Sequence, residues 1–120
     1  MKDDSIYLLH IRDTVRRIFD YAVAGHENFL QDTKTQDAVV RNLEVIGEAV
    51  RHVSEKLRAR HPDVPWKRIA GMRDKMIHEY FGVNPELVWE VVERELPGFQ
   101  LKVEEILTDM TGRAPAKGQE

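Results

Sequence analysis

The stretch that decides the fold is "VVRNLEVIGEAVRHVSEKL", residues 39–57. Val39, Leu43, Ile46, Val50, Val53 and Leu57 recur at three- and four-residue steps, the period of an α-helix with one buried stripe. Arg41, Glu44, Glu48 and Arg51 fall mostly outside that stripe, so the spacing predicts a core helix from about Thr35 to Arg60. Two residues do not suit a plain core. Asn42 projects beside Ile46, Ala49 and Val53 and is expected to face inward, where an amide needs partners. Gly47 stands mid-helix at a cost of about 1 kcal/mol relative to alanine, and a glycine there allows another backbone to approach closely. Either Asn42 pairs with a neighbouring helix and Gly47 marks a crossing point, or Asn42 or Glu48 faces a functional cavity.

Outward from this helix the same period recurs. From Asp4 to Ala24 the apolar set is Leu8, Ile11, Val15, Ile18 and Ala22, with Gly25 as a stop. "HPDVP", residues 61–65, breaks the pattern, since each proline disfavours helix in the residue before it. A third helix is predicted from about Trp66 to Tyr80, ending at the turn residues of "FGVNP". A fourth starts at Pro85, a residue suited to a first helical position, and carries Leu87, Val88, Val91 and Val92. Pro97-Gly98 is expected to separate it from a last helix whose Phe99, Val103, Ile106 and Met110 face inward. The tail "TGRAPAKGQE", residues 111–120, has no apolar period and is expected to be disordered. No alternating pattern or internal repeat is present. The expectation is an all-α, up-and-down bundle of four to five helices forming one domain over residues 1–110.

With 120 residues, 42% of them hydrophobic and 32% charged, the chain is long enough to hold one core without staples. No apolar run approaches the roughly 20 residues needed to span a bilayer. The start "MKDDSIYLLH" lacks the basic, apolar and small-residue order of a signal peptide. A cytoplasmic protein without a membrane partner is therefore expected. The absence of cysteine removes disulfides, thiolate nucleophiles and thiolate zinc sites. A formal net charge of −3 argues against nonspecific coating of nucleic acid, yet leaves room for a local basic cleft.

Chemistry concentrates in "MRDKMIHEYF", residues 72–81. At about 100° per residue, Ile69, Met72, Met76 and Tyr80 share one face and Arg73 falls between Ile69 and Tyr80. A guanidinium on the core side is costly unless it snorkels, pairs with a carboxylate such as Glu48, or binds an anion. His78 lies about 140° round from Arg73, near Gly71 and Asp74, so one straight helix does not easily aim both at one ligand. The helix could loosen in its last turn, the arginine could bridge the angle, or two chains could share a site across a symmetric dimer. Taken alone, His78 also suits a helix C-terminus. There is no H-E-x-x-H and no phosphate-binding glycine loop, and His10, His26, His52 and His61 do not space as a helical pair with His78. No metal and no cofactor is expected. An arginine that holds phosphate oxygens and a histidine that exchanges a proton near neutrality suffice for metal-independent cleavage of RNA.

Arg73, four residues, His78, one residue and Tyr80 resemble the R-x4-6-H-x-Y signature of HEPN domains, specifically the HepT-like toxins of prokaryotic toxin-antitoxin pairs. "RNLEVIGEAVRHVS" from Arg41, "PWKRIAGMRDKMIHEYFGV" from Pro65 and the Trp89 of "ELVWEVV" extend the resemblance over roughly residues 4 to 110. It implies a homodimer whose paired motifs line a cleft that acts as a metal-independent endoribonuclease, in a toxin-antitoxin system of type VII character. By position, Arg73 would stabilise the phosphate and His78 would act as acid/base. The antitoxin implied is a small nucleotidyltransferase that adenylylates Tyr80, and a bulky anion there would fill the cleft and compete for Arg73. Asn42 and Glu48 are supporting candidates, and Val45 and Ala49 are candidates for the dimer surface. A non-catalytic partner or substrate-binding subunit for a nucleotidyltransferase is the alternative.

Overall fold

In the computed structural model the described residues are 3–79 and 84–111, and within them the side chains of residues 73 and 76–79 are outside the description. Among the described residues seven helices follow one another: α1 (Asp4–Tyr21), α2 (His26–Gln31), α3 (Thr33–His52), α4 (Glu55–Arg60), α5 (Trp66–Glu79), α6 (Pro85–Glu90) and α7 (Leu96–Thr111). A π-helical turn, Val91–Glu95, joins α6 to α7 without a break. There is no strand among the described residues, and the all-α class read from the sequence stands.

The predicted stripes form the core. Leu8, Ile11, Val15 and Ile18 of α1 meet Val39, Leu43, Ile46 and Val50 of α3, all buried. Such side chains stabilise by roughly 1.5–3 kcal/mol each when fully buried. Helix α3 packs on α1 and on α5. Its start is capped by Asp32, which accepts from the backbone N–H groups of Lys34 and Thr35. The hydroxyl of Thr35 bonds the same carboxylate and, with the Thr35 N–H, holds it below the usual carboxylate range.

Four expectations need correction. The helix predicted to run to Arg60 stops at His52, because Val53 turns extended (φ −71°, ψ 137°) and Ser54 caps a new helix through its Oγ to Leu57 N–H. Asp4 holds this break: its carboxylate accepts from Ser54 N–H at 2.8 Å and from Ser54 Oγ at 2.7 Å. Val53 and Leu57 nevertheless stay buried, so the stripe continues across the break. Second, α1 ends at Tyr21, and Gly25, with φ +97°, opens the short helix α2 instead of stopping α1. Third, Pro97-Gly98 does not separate two helices. The Leu96 N–H bonds Val91 five residues back, and this widened turn accommodates a proline that has no N–H and would clash with the carbonyl four residues before it. Fourth, Met110 is 42% exposed; Phe99, Val103 and Ile106 are buried as expected.

Ties at both ends set the directions. Asp4 with Ser54 and Arg17 with Asn42 make α1 antiparallel to α3. Trp66 meets Phe99 edge-on at 6.5 Å and Arg68 pairs with Glu95 at 2.7 Å, which ties the start of α5 to the start of α7 and the π-helical turn before it. No helix among the described residues is long and apolar enough to cross a membrane. Of the tail, Thr111 closes α7 and residues 112–120 are outside the description.

The Asp4 tie joins α1 to the α3–α4 break through two hydrogen bonds. Asp4→Ala is expected to lower stability by about 1–3 kcal/mol in urea unfolding, since it leaves the part-buried Ser54 N–H unpaired; an unchanged midpoint would show the tie to be dispensable.

Candidate active site

Helix α5 carries the sequence-predicted site, and its placement follows from its first turns. Trp66 is buried and donates its indole N–H to the His61 carbonyl at 2.9 Å, which fixes the entry of the helix after "HPDVP". Ile69 and Met72 are buried one turn apart against the core. On the opposite side Arg51 of α3 reaches over to Asp74 (3.2 Å) and the Ala70 carbonyl (3.4 Å). The helix is thus held from both flanks before it reaches residue 78.

Positions 73 and 78 both lie within α5, about 7.5 Å apart along its axis and 140° apart around it. How the guanidinium and the imidazole are directed lies outside the described residues, as does Tyr80 altogether.

The supporting candidates are placed in different surroundings. Asn42 is 8% exposed; its Oδ1 accepts from Arg17 Nη1 at 3.3 Å and its Nδ2 donates to the Ala38 carbonyl at 2.7 Å. The Arg17 bond joins α3 to α1 and the Ala38 bond stays within α3; together they account for the buried amide in the first of the two ways the sequence left open. Gly47 is buried in the same helix. Glu48 is 53% exposed and stands 3.4 Å from His52. It lines an open groove of about 430 Å³ beside α1 and α3, with Tyr7, His10, Arg41, Val45 and Ala49 among its walls. The Tyr7 and His52 rings stack there at 5.2 Å. Val45 and Ala49, the residues expected at a dimer surface, therefore border one groove, although Ala49 is already buried within the chain.

A second polar-aromatic group was not found by sequence. His26, the first residue of α2, stacks on Trp89 at 5.3 Å and faces Glu86 at 2.9 Å, while Phe29 supports Trp89 from the side. Sixty positions separate His26 from Glu86, so no local pattern signals the pairing. No three His, Asp or Glu side chains among the described residues come together in a way that would hold a metal ion.

With this geometry in view, the comparison with known proteins is direct. The model of the family described as "Ribonuclease HepT-like" matches residues 11–106. The chain belongs to the HepT-like ribonuclease family. Its relatives cover nearly its whole length: the protein named "Putative RNase MJ0127" of Methanocaldococcus jannaschii is 43% identical over 112 residues, 92% of this chain and 93% of the relative. The "Probable ribonuclease HepT" of Thermococcus cleftensis is 45% identical over 101 residues, 83% of this chain and 92% of the relative. A third, "Putative RNase TTE0752" of Caldanaerobacter subterraneus, is 44% identical over 108 residues, 89% of this chain and 96% of the relative. No solved structure gives a significant match. The match to the HepT-like model spans α1 from Ile11 to α7 at Ile106 and includes the whole of α5.

Asn42 is a buried amide with one bond to Arg17 of α1 and one to the Ala38 carbonyl of its own helix. Asn42→Ala is expected to destabilise by about 1–3 kcal/mol in thermal or urea unfolding, because the Ala38 carbonyl and Arg17 lose their partner. Equal stability would mean that these bonds are replaced by water.

Proposed function

We propose that this HepT-like ribonuclease is a metal-independent endoribonuclease of toxin type, which cuts RNA in a cleft formed between two copies of the chain. What carries the proposal is the Arg73–His78 pair on a helix that the rest of the bundle anchors, inside the matched family region. Arg73 stabilises the negative charge that builds on the phosphorus as the 2′-oxygen attacks it. His78 moves a proton, taking it from the 2′-hydroxyl or delivering it to the departing 5′-oxygen. The P–O5′ bond breaks as the P–O2′ bond forms, leaving a 2′,3′-cyclic phosphate and a 5′-hydroxyl. DNA has no 2′-hydroxyl and is not a substrate.

A homodimer answers the 140° that separates positions 73 and 78, since a twofold axis brings two copies of α5 beside one cleft. The groove bordered by Val45 and Ala49 is where we place part of that contact. Asn42 and Glu48 support the site indirectly, Asn42 by fixing α3 against α1 and Glu48 from the groove wall. The toxin acts in the cytoplasm and is paired with a small nucleotidyltransferase in a type VII-like system. Adenylylation of Tyr80 neutralises it by placing an anionic nucleotide two residues from His78.

Cleavage of a mixed RNA in excess chelator tests the catalytic reading. Wild-type protein is expected to cut, and Arg73→Ala and His78→Ala, each shown folded by circular dichroism, are expected to lose about 10²–10⁴-fold in rate. Wild-type protein that carries no nucleotide and cuts nothing would instead favour a non-catalytic partner of the nucleotidyltransferase. For the antitoxin, incubation with the nucleotidyltransferase and ATP is expected to add one AMP to wild-type protein and none to Tyr80→Phe by intact mass. Labelling of Tyr80→Phe to the same extent would move the modification elsewhere.

A further inference from the structure

The chain as a whole is acidic, yet its charge is not evenly spread. Residues 55–68, which form α4, the "HPDVP" connection and the first turn of α5, hold five cations against two carboxylates, a net +3 within a protein of net −3. The segment is built to keep these cations outside: Leu57, Val64 and Trp66 are buried, while Lys56, Arg60, Lys67 and Arg68 are exposed. Two of the charges are already matched. Arg68 pairs with Glu95, and Asp63 pairs with Lys102, whose hydrogen bond holds the Asp63 carboxyl below its usual range and the Lys102 ammonium above its own. Lys56, Arg58, Arg60 and Lys67 have no ion pair among the described residues, with Glu55 the carboxylate that remains beside them.

On α5 one helical stripe runs from this segment toward position 78. Lys67, Gly71 and Asp74 recur at four- and three-residue steps, and position 78 is the next on that stripe. Gly71 is exposed, with nothing within 4 Å of where a Cβ would stand, so the stripe is flat and open at its middle. Asp74 further along is bound by Arg51, which offsets its charge. From Lys67 to residue 78 the helix rises about 16 Å, the span of about five stacked nucleotides.

We infer that the exposed cations Lys56, Arg60 and Lys67, with Arg58, form a phosphate-binding track that holds single-stranded RNA several nucleotides from the scissile bond and leads it along the Lys67–Gly71 stripe to the active site. The inference rests on the endoribonuclease reading for its choice of partner. The track contributes binding, sequence-independent and salt-sensitive, and no step of the chemistry. It also reconciles an acidic protein with a polyanionic substrate: the cations are gathered in the one segment, residues 55–68, that leads into the site helix.

The test uses full-length protein and the variant Lys56→Gln/Arg60→Gln/Lys67→Gln, with Arg58 left in place because its Nε is buried. Binding is read by anisotropy on a 2′-O-methyl oligonucleotide long enough to span the stripe, which binds without being cut. The variant is expected to bind at least about tenfold more weakly, with a slope of log K against log salt shallower by about 2, at about 0.7 per phosphate contact. Lys67→Gln alone, which guards against misfolding of the triple variant, is expected to lose about 0.7 of that slope. In cleavage assays the long RNA is expected to show a raised KM with kcat unchanged, and a dinucleotide too short to reach the track is expected to be cut equally by both proteins. Wild-type affinity and slope in the variants would overturn the track. Wild-type protein that binds in this salt-dependent way but cuts nothing would uphold the track while removing the endoribonuclease reading. Failure of wild-type protein to bind RNA at all would overturn the track, leaving an acidic protein surface as the partner that fits these cations.

Discussion

Helix α3 has to bury two faces at once, and the rest of the bundle follows from that requirement. One helix neighbour cannot cover the stripe from Val39 to Val50 together with Ala49 and Asn42, so α1 and α5 both lie against it. Because α1 and α5 each bring their own apolar stripe, the three helices share one core. The position of α5 is thereby fixed by the packing of Trp66, Ile69 and Met72. A site carried on such a helix is held by a scaffold that can tolerate chemistry at its polar end.

Polar contacts then decide how the helices are trimmed. Asp4 and Ser54 sit where α1 begins and α3 ends; Asn42 and Arg17 sit further along the same pair. The surface pairs Arg51–Asp74, Arg68–Glu95 and Asp63–Lys102 add orientation more than stability, since exposed ion pairs contribute about 0–1 kcal/mol each. Apolar burial supplies the cohesion, and the hydrogen bonds near helix ends supply the register.

The apolar stripes were legible in the sequence because period 3.6 is a local property: Leu8 to Ile18 and Val39 to Leu57 are buried as read. Breaks within those stripes were not legible. Ser54 interrupts a helix only because Asp4, fifty residues earlier, takes its N–H and hydroxyl. Pro97 fails to interrupt one because a five-residue turn precedes it. Site chemistry divides in the same way. Arg73, His78 and Tyr80 could be picked out as a spacing on one segment, and the family match covers that segment. The basic segment leading into α5 is a charge count in the sequence, whereas the exposure of Lys56, Arg60 and Lys67 required the structure.

The π-helical turn at Val91–Glu95 has a consequence for how this protein can vary. An α-helix of ordinary length between Pro85 and Thr111 would set the Pro97 ring against the carbonyl four residues before it. The turn avoids that with one residue's worth of extra backbone, whatever side chains it carries. Length is therefore a tighter constraint on this segment than identity: Glu93 and Arg94 point to solvent, whereas a turn one residue shorter would return the Pro97 ring to the carbonyl four positions before it, between the α2-side ring contacts of Trp89 and the Trp66 contact of Phe99.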